Sequence, residues 1–394
     1  MKKKFACLAM AMVMVLSLAA CGGKKEEAPA AAPAESGSDS SVSVFKVGTI
    51  GPLSGDAAIY GQAVANGAKI AVDEINAAGG AIQFELQSQD DEADGEKSVN
   101  AYNTLMDWGM QVMVGPTTTG ASIAVSAQAN ADRTFMLTPS ASSVDVIDGK
   151  DNVFQVCFTD PNQGVASADY ISANMAGAKV AVIYRNDDAY SQGIRDTFVS
   201  EAADKGLEVV YEGTFTADTA TDFSVQLTGA QSAGADTVFL PIYYQPASVI
   251  LNQANAMGYE PTFFGVDGMD GILTMEGFDT SLAEGVMLLT PFSADAEDAR
   301  TQTFVKAYQD QFGETPNQFA ADAYDAVYIY AAALEAAGCT ADMSSADICE
   351  ALVGVMTTIS VDGLTGQGMT WDASGAVSKA PMAVVIENGT YVLP

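Results

Sequence analysis

The chain has 394 residues, more than one compact core commonly serves, so two domains or lobes are expected. It carries 17 Lys and Arg against 50 Asp and Glu, a formal net charge of −33, which repels a phosphate backbone and argues against nucleic acid as a partner. Histidine is absent and the five cysteines form no CxxC pair; this excludes Ser-His-Asp and Cys-His nucleophiles, HExxH zinc sites, other histidine-ligated metals, zinc ribbons and thioredoxin-type redox sites.

Lys2, Lys3 and Lys4 precede an uncharged apolar run from Phe5 to Ala20. Sixteen residues are short for a bilayer span and long enough for a signal-peptide core. The run ends in Leu18-Ala19-Ala20-Cys21, which resembles a bacterial lipobox, where the chain is cut before the cysteine and its thiol is lipidated. The alternative is an ordinary signal peptide with an incidental cysteine. Residues 1–20 are therefore expected to be a lipoprotein signal and residues 21–43, rich in Gly, Lys, Glu, Ala, Pro and Ser, a disordered tether. Loss of residues 1–20 removes three lysines and no acid, leaving 14 basic and 50 acidic residues, or −36. No later segment is apolar for 18 residues, so the expectation is a protein held at a membrane outside the cytoplasm without spanning it.

From Val44 onward strand and helix patterns alternate. Val44–Ile50 reads as a strand. Tyr60–Ala78 reads as a helix, with Val64, Ala68, Ala71 and Ile75 on one face and Gly79-Gly80 as its stop. Ile82, Phe84 and Leu86 alternate as a strand. There follow a helix near Glu96–Trp108, a strand at Gln111–Val114, a helix at Thr119–Ala131 and a strand at Thr134–Leu137. The alternation continues through Lys179–Tyr184 with Gln192–Lys205 and Thr237–Leu240 with Ala247–Met257. Such a pattern predicts parallel sheets covered by helices on both faces, with ligands beyond the carboxyl ends of the strands. The tail reads as a helix near Ala346–Met356 and short strands at Met369–Trp371, Ala383–Glu387 and Tyr391–Leu393.

Several motifs carry little. Asp90, Glu92, Asp94 and Gly95 imitate the start of a calcium loop, but Ala101 stands where the bidentate Glu belongs, and a solvated acidic strand end is the better reading. Ser43-Val44-Phe45-Lys46 matches SxxK but enters a strand. Neither GxGxxG nor GxxxxGK[ST] is present, so nucleotide binding has no support. A glycosidase would need a carboxylate pair that no spacing singles out. Cys339 and Cys349 are expected to form a disulfide, and Cys157 to be a buried strand thiol.

Two loops carry more. Thr117-Thr118-Thr119-Gly120-Ala121-Ser122 joins a strand to a helix, where hydroxyls and free N–H groups make a seat for a carboxylate; N-capping alone is the other reading. Thr138-Pro139-Ser140-Ala141-Ser142 repeats the arrangement after the next strand. Asp267, in Gly265-Val266-Asp267-Gly268, could face them as an acidic pole, and two such poles would suit a zwitterion.

These loops, with Gly51-Pro52-Leu53-Ser54-Gly55, Tyr60-Gly61, the run Ala71 to Gly80, Asp90-Asp91, Gly115-Pro116, Tyr190-Ser191-Gln192-Gly193, Phe223-Ser224 and Gln253-Ala254, resemble in order the type 1 periplasmic binding proteins, in their branched-chain (Leu/Ile/Val) amino-acid branch, from Val44 to Pro394. The resemblance implies two doubly wound, Rossmann-like α/β lobes joined by a three-segment hinge. The crossovers would fall near Thr159–Asp160, Thr290–Pro291 and Gly363–Gly366, with 44–159 and 291–364 as lobe 1 and 160–290 and 365–394 as lobe 2. It implies a ligand carboxylate held by Thr119, the Ser140 backbone and Ser142, and a ligand ammonium held by Asp267, where relatives commonly have Glu. Tyr190 and Tyr243, or Tyr244, would close over the ligand. Tyr60, Thr117 and Thr118 would border its side chain, the two threonines departing from larger or less polar groups in relatives. It implies no catalysis, cofactor or metal. The expected partners are an amino acid and an ABC permease with cytoplasmic ATPases, and the expected state is a monomer. The competing readings are a secreted carboxylate-dependent hydrolase and a ligand sensor on the same fold.

Overall fold

The computed structural model describes residues 42–394; the expected signal peptide, Cys21 and most of the tether lie outside the described residues. The first sheet is built from β1 (Ser43–Gly51), β2 (Ile82–Asp90), β3 (Val112–Val114), β4 (Phe135–Thr138) and β5 (Val153–Gln155), in the order β2-β1-β3-β4-β5 and parallel throughout. Helices α1 (Ala58–Ala78), α2 (Gly95–Trp108) and α3 (Thr119–Asp132) connect them. Gly79 ends α1 in the left-handed conformation (φ 69°) that the Gly-Gly stop requires.

The second sheet has the order β12-β11-β10-β9-β8-β6-β7. After α4 (Asp160–Asn174), its parallel part is β6 (Lys179–Arg185), β7 (Glu208–Phe215), β8 (Thr237–Leu240), β9 (Thr262–Gly265) and β10 (Met287–Thr290), with α5 (Ala189–Lys205), α6 (Ser224–Ser232) and α7 (Tyr244–Met257) between strands. The chain then returns to the first lobe as α8 (Ala299–Phe312), α9 (Gln318–Ala337) and α10 (Ser345–Met356). It ends in the second sheet as the antiparallel strands β11 (Met382–Glu387) and β12 (Thr390–Val392). Both sheets reverse strand order beside their first strand, at β1/β3 and at β6/β8, so each presents its switch-point loops as the natural ligand crevice. Among the described residues no helix is long and apolar enough to cross a membrane.

Three sequence expectations need correction. The third passage between lobes lies later than Gly363–Gly366. Trp371 donates its indole N–H to the Gln155 carbonyl and the Gln155 N–H bonds the Gly375 carbonyl, so residues up to Val377 lie on β5 of the first lobe, and the second sheet is rejoined only at Met382. Met369–Trp371 is not a strand but two isolated bridges, Val361 to Met369 and Trp371 to Val377. Cys339 and Cys349 are not bonded. Both are free thiols buried in the apolar cluster beneath α9 and α10, where they pack as small hydrophobes; burial pushes both thiols up, Cys349 to about 11, and keeps them protonated.

The acidic run is a set of backbone clasps. Asp90 accepts from the Leu53 and Glu92 N–H groups and the Ser54 hydroxyl, Asp91 from Ala93 N–H and the Ser98 hydroxyl, and Asp94 caps α2 through Lys97 N–H. These bonds shape the loop beside β1 that faces the cleft.

Candidate functional site

Lobe 1 supplies the hydroxyl-rich wall. Thr118 is the N-cap residue of α3, with extended φ and ψ, yet its side chain makes no capping bond. The hydroxyls of Thr118 and of Thr119, the first residue of the helix, are buried without a partner. N-capping therefore does not account for them. The surrounding hydroxyls have structural bonds that hold the two loops together. Ser140 donates to the Thr117 carbonyl at 2.7 Å, Thr138 to the Pro116 carbonyl at 2.8 Å, and Thr117 to the Ile50 carbonyl at 3.3 Å. Gln155 donates to the carbonyls of Ala141 and Ser143, fixing the next turn of backbone. The Ser142 hydroxyl is buried and unpartnered beside the Asp160 carboxylate, with which it does not reach hydrogen-bonding geometry.

Lobe 2 supplies the acid. Asp267 begins a single 3-10 turn after β9 and is only 4 % exposed. One carboxylate oxygen accepts from the Tyr190 hydroxyl at 2.6 Å, and that hydroxyl in turn accepts from Gly268 N–H at 3.0 Å. The Asp267 backbone is held from both sides, by Gln163 on its N–H and by the Gln318 amide on its carbonyl. Burial pushes the carboxyl up to about 7, with the Tyr190 hydrogen bond pulling the other way. It is thus a poor anion until a cation joins it.

Aromatic rings close the space between the walls. Tyr243 stacks on Tyr190 at 4.8 Å and meets the edge of Tyr60 at 5.4 Å. Tyr60, carried on α1 of lobe 1, donates its hydroxyl to the Gly268 carbonyl and accepts from Tyr244 N–H, so one phenol ties both lobes together. The small cavity left, about 10 Å³, is lined by Tyr60, Thr117, Thr118 and Ser140 on one side and Tyr190, Tyr243 and Asp267 on the other, with Phe319 at its end. Thr119 and Ser142 belong to the same loops but do not reach its wall. Tyr244 turns its ring against Tyr60 and its hydroxyl to Ile59 N–H, which leaves Tyr243 as the tyrosine of that pair on the cavity. Thr118 and Tyr243 also border a cleft mouth of about 530 Å³ beside Arg185, Asp187 and Asp188.

Sequence reasoning missed Phe319, Asp160, Gln163 and Gln318. Phe319 lies in the first turn of an apolar helix and gave no polar signal. Asp160 reads as an ordinary first-turn acid after the capping Thr159, yet it is buried with both oxygens unpartnered, and burial holds its carboxyl well above the usual range.

The family described as periplasmic binding protein matches residues 44–390. A Leu/Ile/Val-binding protein homolog 3 of Brucella melitensis biotype 1 is 32% identical over 318 residues, covering 78% of this chain and 82% of its own. The Leu/Ile/Val-binding protein BraC3 of Rhizobium johnstonii is 31% identical over 303 residues, covering 75% and 80%. Among solved structures, the branched-chain amino acid transporter substrate binding protein LivJ of Streptococcus pneumoniae, in complex with isoleucine, superposes with a TM-score of 0.79 at 31% identity, covering 88% of this chain and 97% of that one.

Proposed function

Because the chain belongs to the periplasmic binding protein family, we propose that it captures an α-amino acid between its two lobes and delivers it to an ABC importer. The observation that carries this reading is the pair of buried, unpartnered hydroxyls at the start of α3, Thr118 and Thr119, with a buried acid on the other side of the cleft at Asp267. An unpaired buried hydroxyl costs free energy unless a ligand completes it. A carboxylate would bind the Thr119 hydroxyl and the free N–H groups of the helix start, the Thr118 hydroxyl would meet a polar group of the ligand side chain, and an ammonium would bind Asp267. A zwitterion has both ends, and only a closed pair of lobes meets both at once.

In this reading the carboxylate rests on the Ser140 backbone and on Thr119 and Ser142, which do not line the closed cavity and are reached once the lobes part to admit a ligand, and the ammonium rests on Asp267. Tyr190 holds the acid, Tyr243 and Tyr60 cover the ligand, and Thr117 and Thr118 meet its side chain. The names of the relatives favour leucine, isoleucine and valine; the threonines favour a smaller or more polar side chain within that range of sizes. We also propose that Cys21 carries a lipid anchor and that the lobes of a monomer engage the permease. The lipid reading is tested by expressing Cys21→Ala, which should leave the membrane fraction for the soluble one.

The ligand is tested by thermal shift against the twenty amino acids. At least one should raise the melting temperature and be recovered unchanged. Asp267→Ala should keep its fold and lose the shift. Near-normal affinity in that variant would remove Asp267 from the ammonium site, and no shift with any amino acid would overturn the assignment.

A further inference from the structure

Asp160 is a buried acid that the proposed ligand contacts leave out. It is the first residue of α4, just past the first passage between lobes, and is 1 % exposed. Its N–H donates to the Ser142 carbonyl at 2.9 Å, so main-chain bonding sets the two side chains next to each other. Neither carboxyl oxygen has a hydrogen-bond partner among the described residues, and neither has the Ser142 hydroxyl. On its other side the carboxyl rests against α5 at Gly193, where a Cβ would stand 3.1 Å from Oδ2 and 3.3 Å from the Asp160 Cβ. Glycine there leaves room for the acid.

The charged groups that face it share one sign. Asp145 lies in the turn after Ser142, Asp188 at the start of α5 and Asp267 in the turn after β9. Cys157 after β5 and Tyr243 before α7 are its uncharged titratable neighbours. Among the described residues no lysine or arginine bonds it. The α4 N-terminus favours an ion, but its N–H groups do not reach the carboxyl oxygens. An ion in this place would lack water, donors and a counter-charge together.

The proton on Asp160 decides what Ser142 can do. A hydroxyl has one hydrogen and two lone pairs. An ionised Asp160 would take that hydrogen and leave the Ser142 lone pairs facing a ligand carboxylate, which repels them. A neutral Asp160 does the reverse. Its own O–H donates to the Ser142 oxygen, and the Ser142 hydrogen is left for the ligand.

We infer that Asp160 is a neutral carboxylic acid in the folded protein at pH 7 and acts as a positioning residue, donating a hydrogen bond to Ser142 and so aiming the Ser142 hydroxyl at the ligand carboxylate. The aim at a carboxylate rests on the proposed function; the neutral acid does not.

The neutral acid is tested without ligand, by urea unfolding of wild type and Asp160→Asn between pH 5 and 7. The amide keeps the shape, supplies a donor and does not titrate. A proton held in the fold and lost on unfolding should make the folding constant of the wild type fall relative to the variant, by about tenfold per pH unit. A constant ratio would mean an ionised Asp160 and would overturn the inference. If Asp160→Asn does not fold, the infrared carbonyl band of the protonated acid is compared in wild type and Ser142→Ala at pH 7. Loss of the bond to Ser142 should shift that band, and no shift would overturn the inference. The positioning role is tested by titration with the amino acid that gives the largest thermal shift. Asp160→Ala should weaken binding about tenfold and Asp160→Asn should restore it. In a Ser142→Ala background neither change should matter. A loss in Asp160→Ala that persists without the Ser142 hydroxyl, or that Asn does not restore, would overturn the positioning role. Absence of binding by every amino acid would overturn the proposed function and the aim at a carboxylate with it, while the unfolding ratio still decides the neutral acid.

Discussion

Asp267 is a buried carboxyl whose proton affinity depends on what lies next to it. Burial raises it to about 7 in the unliganded fold, whereas an unfolded aspartate sits near 3.9. The folded protein therefore holds this proton more tightly than the unfolded chain, and the group's contribution to stability falls as pH rises from about 4 to about 7. An ammonium bound to it reverses the preference. Ligand binding at pH 6 should release close to one proton and at pH 8.5 almost none. Titrations in buffers of differing ionisation enthalpy measure this directly. Affinity should fall about tenfold for each pH unit below 7, and a pH-independent affinity between 5 and 8 would show that Asp267 does not meet the ammonium. The position of Asp267 was legible because a lone acid between glycines follows a strand. The partners that tune it were not: Tyr190 is nearly eighty residues away, and Gln163 and Gln318 look like any helix-surface amides in one dimension.

At the scale of elements, the start of α3 holds unsatisfied groups in readiness. Its two orphaned hydroxyls should make the empty protein slightly less stable than a version without them. Thr119→Val, which keeps the shape and removes the hydroxyl, should leave the melting temperature unchanged or higher. It should weaken amino-acid binding by about 10- to 150-fold, in keeping with about 1.5–3 kcal/mol for a hydrogen bond to a charged group. Paired thermal-shift and titration measurements separate the two effects; a large loss of stability would mean that the hydroxyl serves the fold. Elements with a dry face and a wet one, such as α1 and β2, were readable from periodicity. The helix α9 was not, because it is apolar nearly all round, with buried residues on every face of its first three turns. The three- and four-residue strands β5, β9 and β10 were too short and too fully buried to alternate.

Across the whole molecule, the third passage between lobes is secured by a buried ion pair. Lys379 donates to Asp322 of α9 at 2.6 Å and to the Thr365 hydroxyl at 2.8 Å, with both charged side chains 2 % exposed. Burial raises the Asp322 carboxyl to about 6, the Lys379 ammonium pulling the other way. Lys379→Met should cost about 3–5 kcal/mol in urea unfolding at pH 8, where the stranded Asp322 must either carry an unpaired buried charge or take up a proton from a proton-poor solution. The loss should be smaller at pH 5, where that carboxyl can take up a proton. Lys379→Met/Asp322→Leu should recover most of it; an equal cost in the double variant would mean that packing and not charge holds the crossing. Alternation of strand and helix made the two-lobed architecture legible. The location of this crossing was not, because Trp371 and Gly375 attach to β5 through backbone and indole bonds that leave no periodic trace.

The phenol of Tyr60, hydrogen-bonded to two loops of the opposite lobe, also sets a time course. A cavity of about 10 Å³ admits roughly one water and no amino acid, so on the proposed function the lobes must part before a ligand enters. Capture then waits on a spontaneous opening step, and the observed association rate should level off with rising ligand concentration at the opening rate instead of climbing without limit. Tyr60→Phe, which unties the phenol from Gly268 and Tyr244, should raise that plateau in stopped-flow records of tyrosine or tryptophan fluorescence. On that reading, the closure that would grip a ligand also meters how fast it can be loaded.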